Sequence, residues 1–293
     1  MRVGSDLLDL KFKPVREEIT WRRTTNYAAA TGDNNPAYLD DRQPQGLIAP
    51  PMLATALTWP IWAAVKDNLE AGSFPGPVFN RQVHYTEDLI LLRPIRPGDR
   101  LRIETRFEAL MPHRAGTYLV LRYDAFDRRE EPVFTERFGV VLRGVECADA
   151  GQGAERLTRP PAGPARAEPL WESWNEIGPL LPYVYDGCSG IVFAIHTSPA
   201  FAQEVGLPGV ILQGTASLAL AARDLVNREA EADPARLKRL AGRFTAMVRP
   251  GQEIRVQLLG RQADDRGRDL FFSVLNAQGQ KAISDGYARL EET

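Results

Sequence analysis

One histidine, His196, stands in apolar company inside residues 191–227, and a small-residue turn follows it at Leu212-Gln213-Gly214-Thr215. After the turn, Ala216, Leu218, Ala219, Leu220, Ala221, Ala222 and Leu225 spell a helix that is apolar nearly all round, as a helix buried on most sides must be. A neutral imidazole can take up a proton near pH 7. Free N–H groups at a helix start favour negative charge building on a carbonyl oxygen. Side by side, the two features suit a reaction with an oxyanion. The competing reading of a single histidine on an apolar segment is a hydrogen-bonded core residue.

The elements that would hold such a site come in two sets. In the first half, residues 19–30 read as a moderately amphipathic helix with Trp21, Tyr27 and Ala28 inward. It stops at the turn cluster Thr31-Gly32-Asp33-Asn34-Asn35-Pro36. Residues 53–70 read as a long apolar helix kinked near Pro60. Strands are expected at 78–87, 101–110, 118–126 and 133–142, where β-forming residues recur with loose alternation. Residues 146–168, rich in Ala, Gly, Pro and Arg without periodicity, read as a solvated, mobile linker. The second half supplies its own strands near 240–248, 253–261, 269–276 and 282–290.

The halves repeat one another. Ile95-Arg-Pro-Gly-Asp-Arg-Leu-Arg-Ile103 matches Val248-Arg-Pro-Gly-Gln-Glu-Ile-Arg-Val256, each leading from a Pro-Gly turn into an alternating strand. The turn and helix at 50–70 correspond to 212–229. The pattern predicts an α+β protein made of two helix-in-sheet units, fused and packed about a local twofold axis. The expected domains are 1–145 and 169–293, with 146–168 between them.

Composition bounds the function. A chain of 293 residues, 44% hydrophobic and 25% charged, has the make-up of a soluble globular protein. The formal net charge of −2 has no long runs of one sign, which argues against a nucleic-acid partner or an anionic membrane surface. Cys147 and Cys188 lack metal-ligand spacing and fit a reducing compartment. No signal-like apolar core and no run of about 18 apolar residues occurs, so a cytoplasmic location and no membrane partner are expected. No phosphate loop, dinucleotide fingerprint, zinc cluster or nucleophilic-serine motif is visible.

The order of elements, the Thr31-Gly32-Asp33-Asn34-Asn35-Pro36 run and the His196-centred run together resemble the MaoC-like dehydratase/hydratase family. These are double hotdog proteins that include (R)-specific enoyl-CoA hydratases and 3-hydroxyacyl-thioester dehydratases. The resemblance spans nearly the whole chain apart from the linker and the extreme N-terminus. The family motif runs Ser-Gly-Asp-x-Asn-Pro-x-His-x-Asp, with its Asp and His activating water and a glycine N–H of the central helix receiving the thioester oxyanion.

Here the motif is split between the halves. The first half keeps Asp33 and Asn35 but has Tyr38 at the histidine position. The second half reads Ser189-Gly190-Ile191-Val192-Phe193-Ala194-Ile195-His196, with Ile191 for the acid and Phe193 for the asparagine. The resemblance implies a site in the second half. His196 is the general base or acid and the Gly214 N–H the oxyanion donor. Gln213 positions the substrate, and Ile191 and Phe193 form an acyl wall suited to a bulky or aromatic group. The implied reaction is reversible hydration of an enoyl-CoA or dehydration of a 3-hydroxyacyl-CoA. It needs no metal and no cofactor beyond the coenzyme A of its substrate, and a homo-oligomer of such chains is compatible. A hotdog thioesterase, with Asp224 as the helix-borne acid, and a silent acyl-thioester binding subunit remain as alternatives.

With no acid at Ile191, Tyr185 and Asp186 are the nearest replacements in sequence. Asp33 and Asn35 read as turn and capping groups, His84 as a structural strand residue, and His113 as a loop residue. Arg243 reads as a solvated strand residue that could otherwise meet a phosphate of coenzyme A.

Overall fold

The computed structural model describes residues 1–164 and 168–291, and each half forms a long helix laid in the curve of an antiparallel sheet. The first half runs β1 (Val15–Glu18), α1 (Trp21–Ala30), α2 (Leu53–Ala63), β2 (Gln82–Leu91), β3 (Arg100–His113), β4 (Gly116–Phe126) and β5 (Pro132–Arg143). The second runs β6 (Trp171–Ile177), α3 (Leu181–Ser189), α4 (Gly214–Glu229), β7 (Leu237–Phe244), β8 (Gln252–Asp264), β9 (Gly267–Asn276) and β10 (Lys281–Glu291). The strands join into one ten-stranded sheet in the order β1-β3-β4-β5-β2-β7-β10-β9-β8-β6, which reads the same from either edge once the halves are equated. This is the double hotdog arrangement that the resemblance implies.

The repeated Arg-Pro-Gly segments do the same work in each half. Ala49 N–H donates to the Ile95 carbonyl at 2.7 Å and Leu212 N–H donates to the Val248 carbonyl at 2.9 Å, fixing where each central helix begins. Gly98 N–H donates to the Ile19 carbonyl at 2.7 Å and Gly251 N–H to the Ile177 carbonyl at 2.6 Å, tying each turn to the end of the edge strand. Both glycines hold positive φ, +90° and +79°.

The halves meet where β2 pairs with β7, from Thr86 opposite Arg243 to Ile90 opposite Arg239. On the outer face a paired contact crosses this seam, Arg239 Nε to Asp88 Oδ1 at 2.7 Å and Nη2 to Oδ2 at 2.8 Å. On the inner face α2 and α4 are buried nearly all round, as their composition requires. Small residues such as Ala216, Ala219, Ala221 and Ala222 let α4 lie close to its neighbours.

Several expectations change. The helix expected over 53–70 ends at Ala63, and a separate turn follows at Val65–Asn68. Pro60 does sit inside it. Its missing N–H frees the Ala56 carbonyl, and the Arg23 guanidinium donates to that oxygen at 3.1 Å. Tyr27 and Ala28 are buried as read, but Trp21 is exposed. The strand expected from Val78 begins at Gln82, because Gly76–Phe79 form a helical turn. The short edge strands β1 and β6 have too little alternation to stand out in the sequence.

The segment from residue 146 is not a free linker. Glu146–Cys147 pair in parallel with Arg2–Val3, and Gln152 exchanges backbone hydrogen bonds with Leu110 at 2.8 and 2.9 Å. The Asp149 carboxylate accepts from Ser5 N–H and Oγ and from Gly151 N–H. Further on, the Thr158 carbonyl accepts from Arg239, and Gly163 packs on the Phe271 ring. Hydrogen bonds that composition does not advertise hold it in place. Residues 165–167 of the expected linker lie outside the described residues.

If the two Pro-Gly turns are equivalent, alanine at either should cost alike. A Cβ at Gly98 or Gly251 meets nothing within 4 Å, so only the left-handed backbone opposes it. Gly98→Ala and Gly251→Ala are each expected to lose about 1–2 kcal/mol in urea unfolding. A loss confined to one of them would break the equivalence.

Candidate active site

One cavity gathers the residues singled out in the second half. It has a volume of about 200 Å3 and is lined by Ile191, Phe193, His196, Gln213 and Gly214. The first half adds Trp59 from α2 and Gln82 and His84 from β2, and Phe244 of β7 closes another side. The site is therefore composite, built across the seam.

The motif loop takes its shape from the end of α3. Gly190 adopts φ +76°, where a side chain would be strained, and Ser189 Oγ accepts from Ile191 N–H at 3.1 Å. The chain then swings into the short turn Ala194–His196. The Trp59 indole N–H donates to the Val192 carbonyl at 3.2 Å, so the first half's central helix pins this loop. Phe193 lies edge-on to Trp59 with ring centres 6.2 Å apart.

His196 has a defined tautomer. Its Nδ1 lies 2.8 Å from the Ile211 carbonyl, an acceptor only, so Nδ1 carries the proton and Nε2 keeps its lone pair. Burial pushes this imidazole down to about 4, partly countered by that carbonyl, so it is neutral at pH 7.

The start of α4 lines the same cavity. Gln213, just before it, donates from Nε2 to the Pro182 carbonyl at 3.0 Å, while its Oε1 is buried without a partner. The N–H groups of Gly214 and Thr215 find no acceptor among the described residues, as the first turn of a helix leaves them. A Cβ on Gly214 would come within 2.9 Å of the Phe244 ring. Packing against that ring therefore favours a glycine here.

The pseudo-equivalent place in the first half is closed. Counting from the matched backbone bonds of Ala49 and Leu212, Pro51 stands where Gly214 stands, and proline has no N–H to offer. Tyr38 is buried there, and Arg223 of α4 donates to the Thr31 carbonyl at 2.7 Å. What space is left is about 10 Å3, room for little more than one water. Asp33 accepts from Asn35 N–H at 3.1 Å, and Asn35 caps the next turn by accepting from Ala37 N–H at 2.9 Å. These are the turn and capping roles read from the sequence.

The other candidates fall elsewhere. Tyr185 is buried and its hydroxyl lies 2.8 Å from that of Tyr27, and neither it nor Asp186 lines the cavity. Asp224 accepts from Asn175 Nδ2 at 2.9 Å and pairs with Arg223, away from the cavity. Arg243 donates to Ser284 and pairs with Asp285 on a half-exposed strand face. His113 sits by the β3–β4 turn, where its Nδ1 accepts from Ala115 N–H.

His84 reads as a structural strand residue in sequence, yet it lines the cavity. Strict alternation puts positions 84 and 87 on opposite faces of a strand. The register of β2 on β5 slips between His84 and Thr86, leaving Tyr85 as an extra residue, and this bulge turns His84 to the same side as Glu87. No feature of composition announces the bulge.

Residues 172–271 match the MaoC like domain and residues 8–136 match the FAS1-like, dehydratase domain region. The second half thus carries a MaoC-like domain and the first half a FAS1-like dehydratase region. A MaoC-like dehydratase from Phytophthora capsici has the same fold, with a TM-score of 0.82 at 20% identity over 99% of this chain and 100% of that one. A probable enoyl-CoA hydratase 2 of Dictyostelium discoideum is 24% identical over 71% of this chain and 70% of its own length. A UPF0336 protein of Streptomyces coelicolor is 28% identical over 50% of this chain and its whole length. No helix among the described residues is long and apolar enough to cross a membrane.

Burial of His196 has a consequence for stability. An unfolded histidine titrates near about 6.5, whereas the folded one is held down at about 4. The unfolded chain thus binds the extra proton between these values, and stability from this site is present above the upper value and lost as pH falls towards the lower. Thermal melts from pH 7 to pH 4 should fall less steeply for His196→Asn than for the wild type. Parallel slopes would show that the His196 ring is not desolvated in the folded chain.

Proposed function

We propose that this protein is a hydro-lyase acting on acyl-CoA thioesters, hydrating an enoyl-CoA or dehydrating a 3-hydroxyacyl-CoA. The observation that carries the reading is the meeting of an open helix N-terminus at Gly214 with a neutral His196 whose Nε2 lone pair is free, in one apolar cavity. A thioester carbonyl against the Gly214 N–H would have its developing negative charge stabilised by that donor and the helix dipole. Withdrawal of electrons to that oxygen acidifies the α-carbon, and His196 Nε2 is the base that takes the α-proton in dehydration. In hydration the steps run backwards.

The lining favours an apolar acyl group. Trp59, Phe193, Phe244, Ile191, Ile195 and Leu212 surround about 200 Å3, enough for a compact bulky or aromatic group. Coenzyme A enters as part of the substrate, and the reaction as written needs no metal. The pairing of Asp224 with Asn175 and Arg223 leaves the thioesterase alternative without its acid.

Incubation with enoyl-CoA and 3-hydroxyacyl-CoA panels, read by mass, tests the reaction. Gain or loss of water is expected; free coenzyme A would favour a thioesterase, and unchanged bound ligand a binding subunit. On the substrate so found, His196→Ala should lower turnover by about a hundredfold or more. Asp33→Asn should lower the melting temperature and leave turnover near that of the wild type. The reverse pattern would move the site to the first half.

A further inference from the structure

In an apolar cavity the few polar atoms that reach the space fix which way round a ligand lies. Two of them come from the first half. Gln82 and His84 are two positions apart on β2 and pair in unbroken register with Leu142 and Val140, so both side chains stand on one face of the strand. Both line the cavity, with Trp59 of α2 on the same wall.

Neighbouring groups fix the orientation of each polar tip. The Trp62 indole N–H, a donor only, lies 3.2 Å from Gln82 Oε1, so that atom is the amide oxygen and Nε2 keeps its two N–H groups. His84 Nε2 lies 3.1 Å from the Thr86 carbonyl, an acceptor only, so the neutral ring carries its proton there and Nδ1 keeps a lone pair. Burial lowers this imidazole to about 3, and it is neutral at pH 7. Stacking on Phe138 at 3.9 Å holds the ring in place. Neither Gln82 Nε2 nor His84 Nδ1 has a partner among the described residues, and neither is sealed from open space as Gln213 Oε1 is. A donor and an acceptor are left side by side.

We propose that Gln82 and His84 form a subsite for an uncharged hydroxyl of the ligand, Gln82 Nε2 donating to its oxygen and His84 Nδ1 accepting its O–H. The proposal rests on the acyl-CoA reading of the cavity given above. A hydroxyl fits because it gives and takes a hydrogen bond through one oxygen. An ether has no hydrogen for His84. A carboxylate has none either, and it would bring a charge into a cavity with no lysine or arginine in its lining. Residues two apart on a strand are about 7 Å apart at the backbone, so one oxygen between the two tips reaches both. Two hydroxyls of such a ligand qualify, the one gained or lost at the 3-position and one carried further out on the acyl group. The first would be the departing hydroxyl or incoming water held in place; the second would select acyl groups by their polar end. Binding separates these two sources.

Calorimetric titration with coenzyme A thioesters tests the subsite without turnover. The ligands are 3-phenylpropanoyl-CoA, its 4-hydroxyphenyl analogue and 3-hydroxy-3-phenylpropanoyl-CoA. The last is compared with the plain ligand in a His196→Ala background, where water is not removed. At least one hydroxylated ligand is expected to bind about tenfold more tightly than the plain one, and the one that does so names the source. Gln82→Met and His84→Phe should each remove that advantage and leave the plain ligand within about twofold of its former affinity. No advantage for either hydroxyl, or one that survives both substitutions, overturns the subsite. Equal weakening of all three ligands overturns it too, because the group recognised then lies in the coenzyme A part that they share. Melting curves identify an unfolded variant, which Gln82→Leu or His84→Leu then replaces. Binding without preference for a hydroxyl leaves the acyl-CoA reading standing. Binding of none of the three overturns that reading, and the subsite with it.

Discussion

Pairing of β2 with β7 makes one sheet of two, and the remaining architecture follows from it. The inner faces of both halves come against a shared layer of α2 and α4. Backbone ladders are insensitive to side chain, so the seam tolerates divergence on either side of it. The Asp88–Arg239 pair fixes its outer face, and His84 and Phe244 come to the cavity because their strands meet there.

A fused chain frees its halves from identity. In a symmetric pair every change occurs twice, whereas here each half has changed alone. The second half has a glycine with a usable N–H and a histidine facing space. In the first, Pro51 removes the donor, Tyr38 fills the volume and Arg223 closes over the turn. The first half nevertheless helps to build the cavity, through Trp59, which pins the motif loop, and through the inner side of β2.

The same burial that makes the core stable sets its ionisable groups apart from their solution behaviour. His84 and His196 are held neutral, and Glu87 and Glu136 are pushed towards their protonated forms, all chiefly through desolvation. The two sets oppose each other in pH dependence. Neutral histidines favour the folded state at higher pH, and protonated carboxyls favour it at lower pH. A polar cluster of this kind in a sheet interior is a cost to stability that an apolar core would not carry.

The repeat, the central helices and most strands were legible in the residues alone, because they follow from local periodicity and from turns that only Pro and Gly make easily. So was the nearness of His196, Gln213 and Gly214, since the motif loop and the helix start are close along the chain. The short strands β1 and β6, the anchoring of the segment after residue 146 and the end of α2 at Ala63 were not. Contacts between residues far apart in sequence decide such features, as the bond from Ser5 to Asp149 does for that segment. His84 shows the difference most plainly. Its place beside Glu87 needs a one-residue bulge, and its place in the cavity needs the partner half, and neither leaves a local pattern to read.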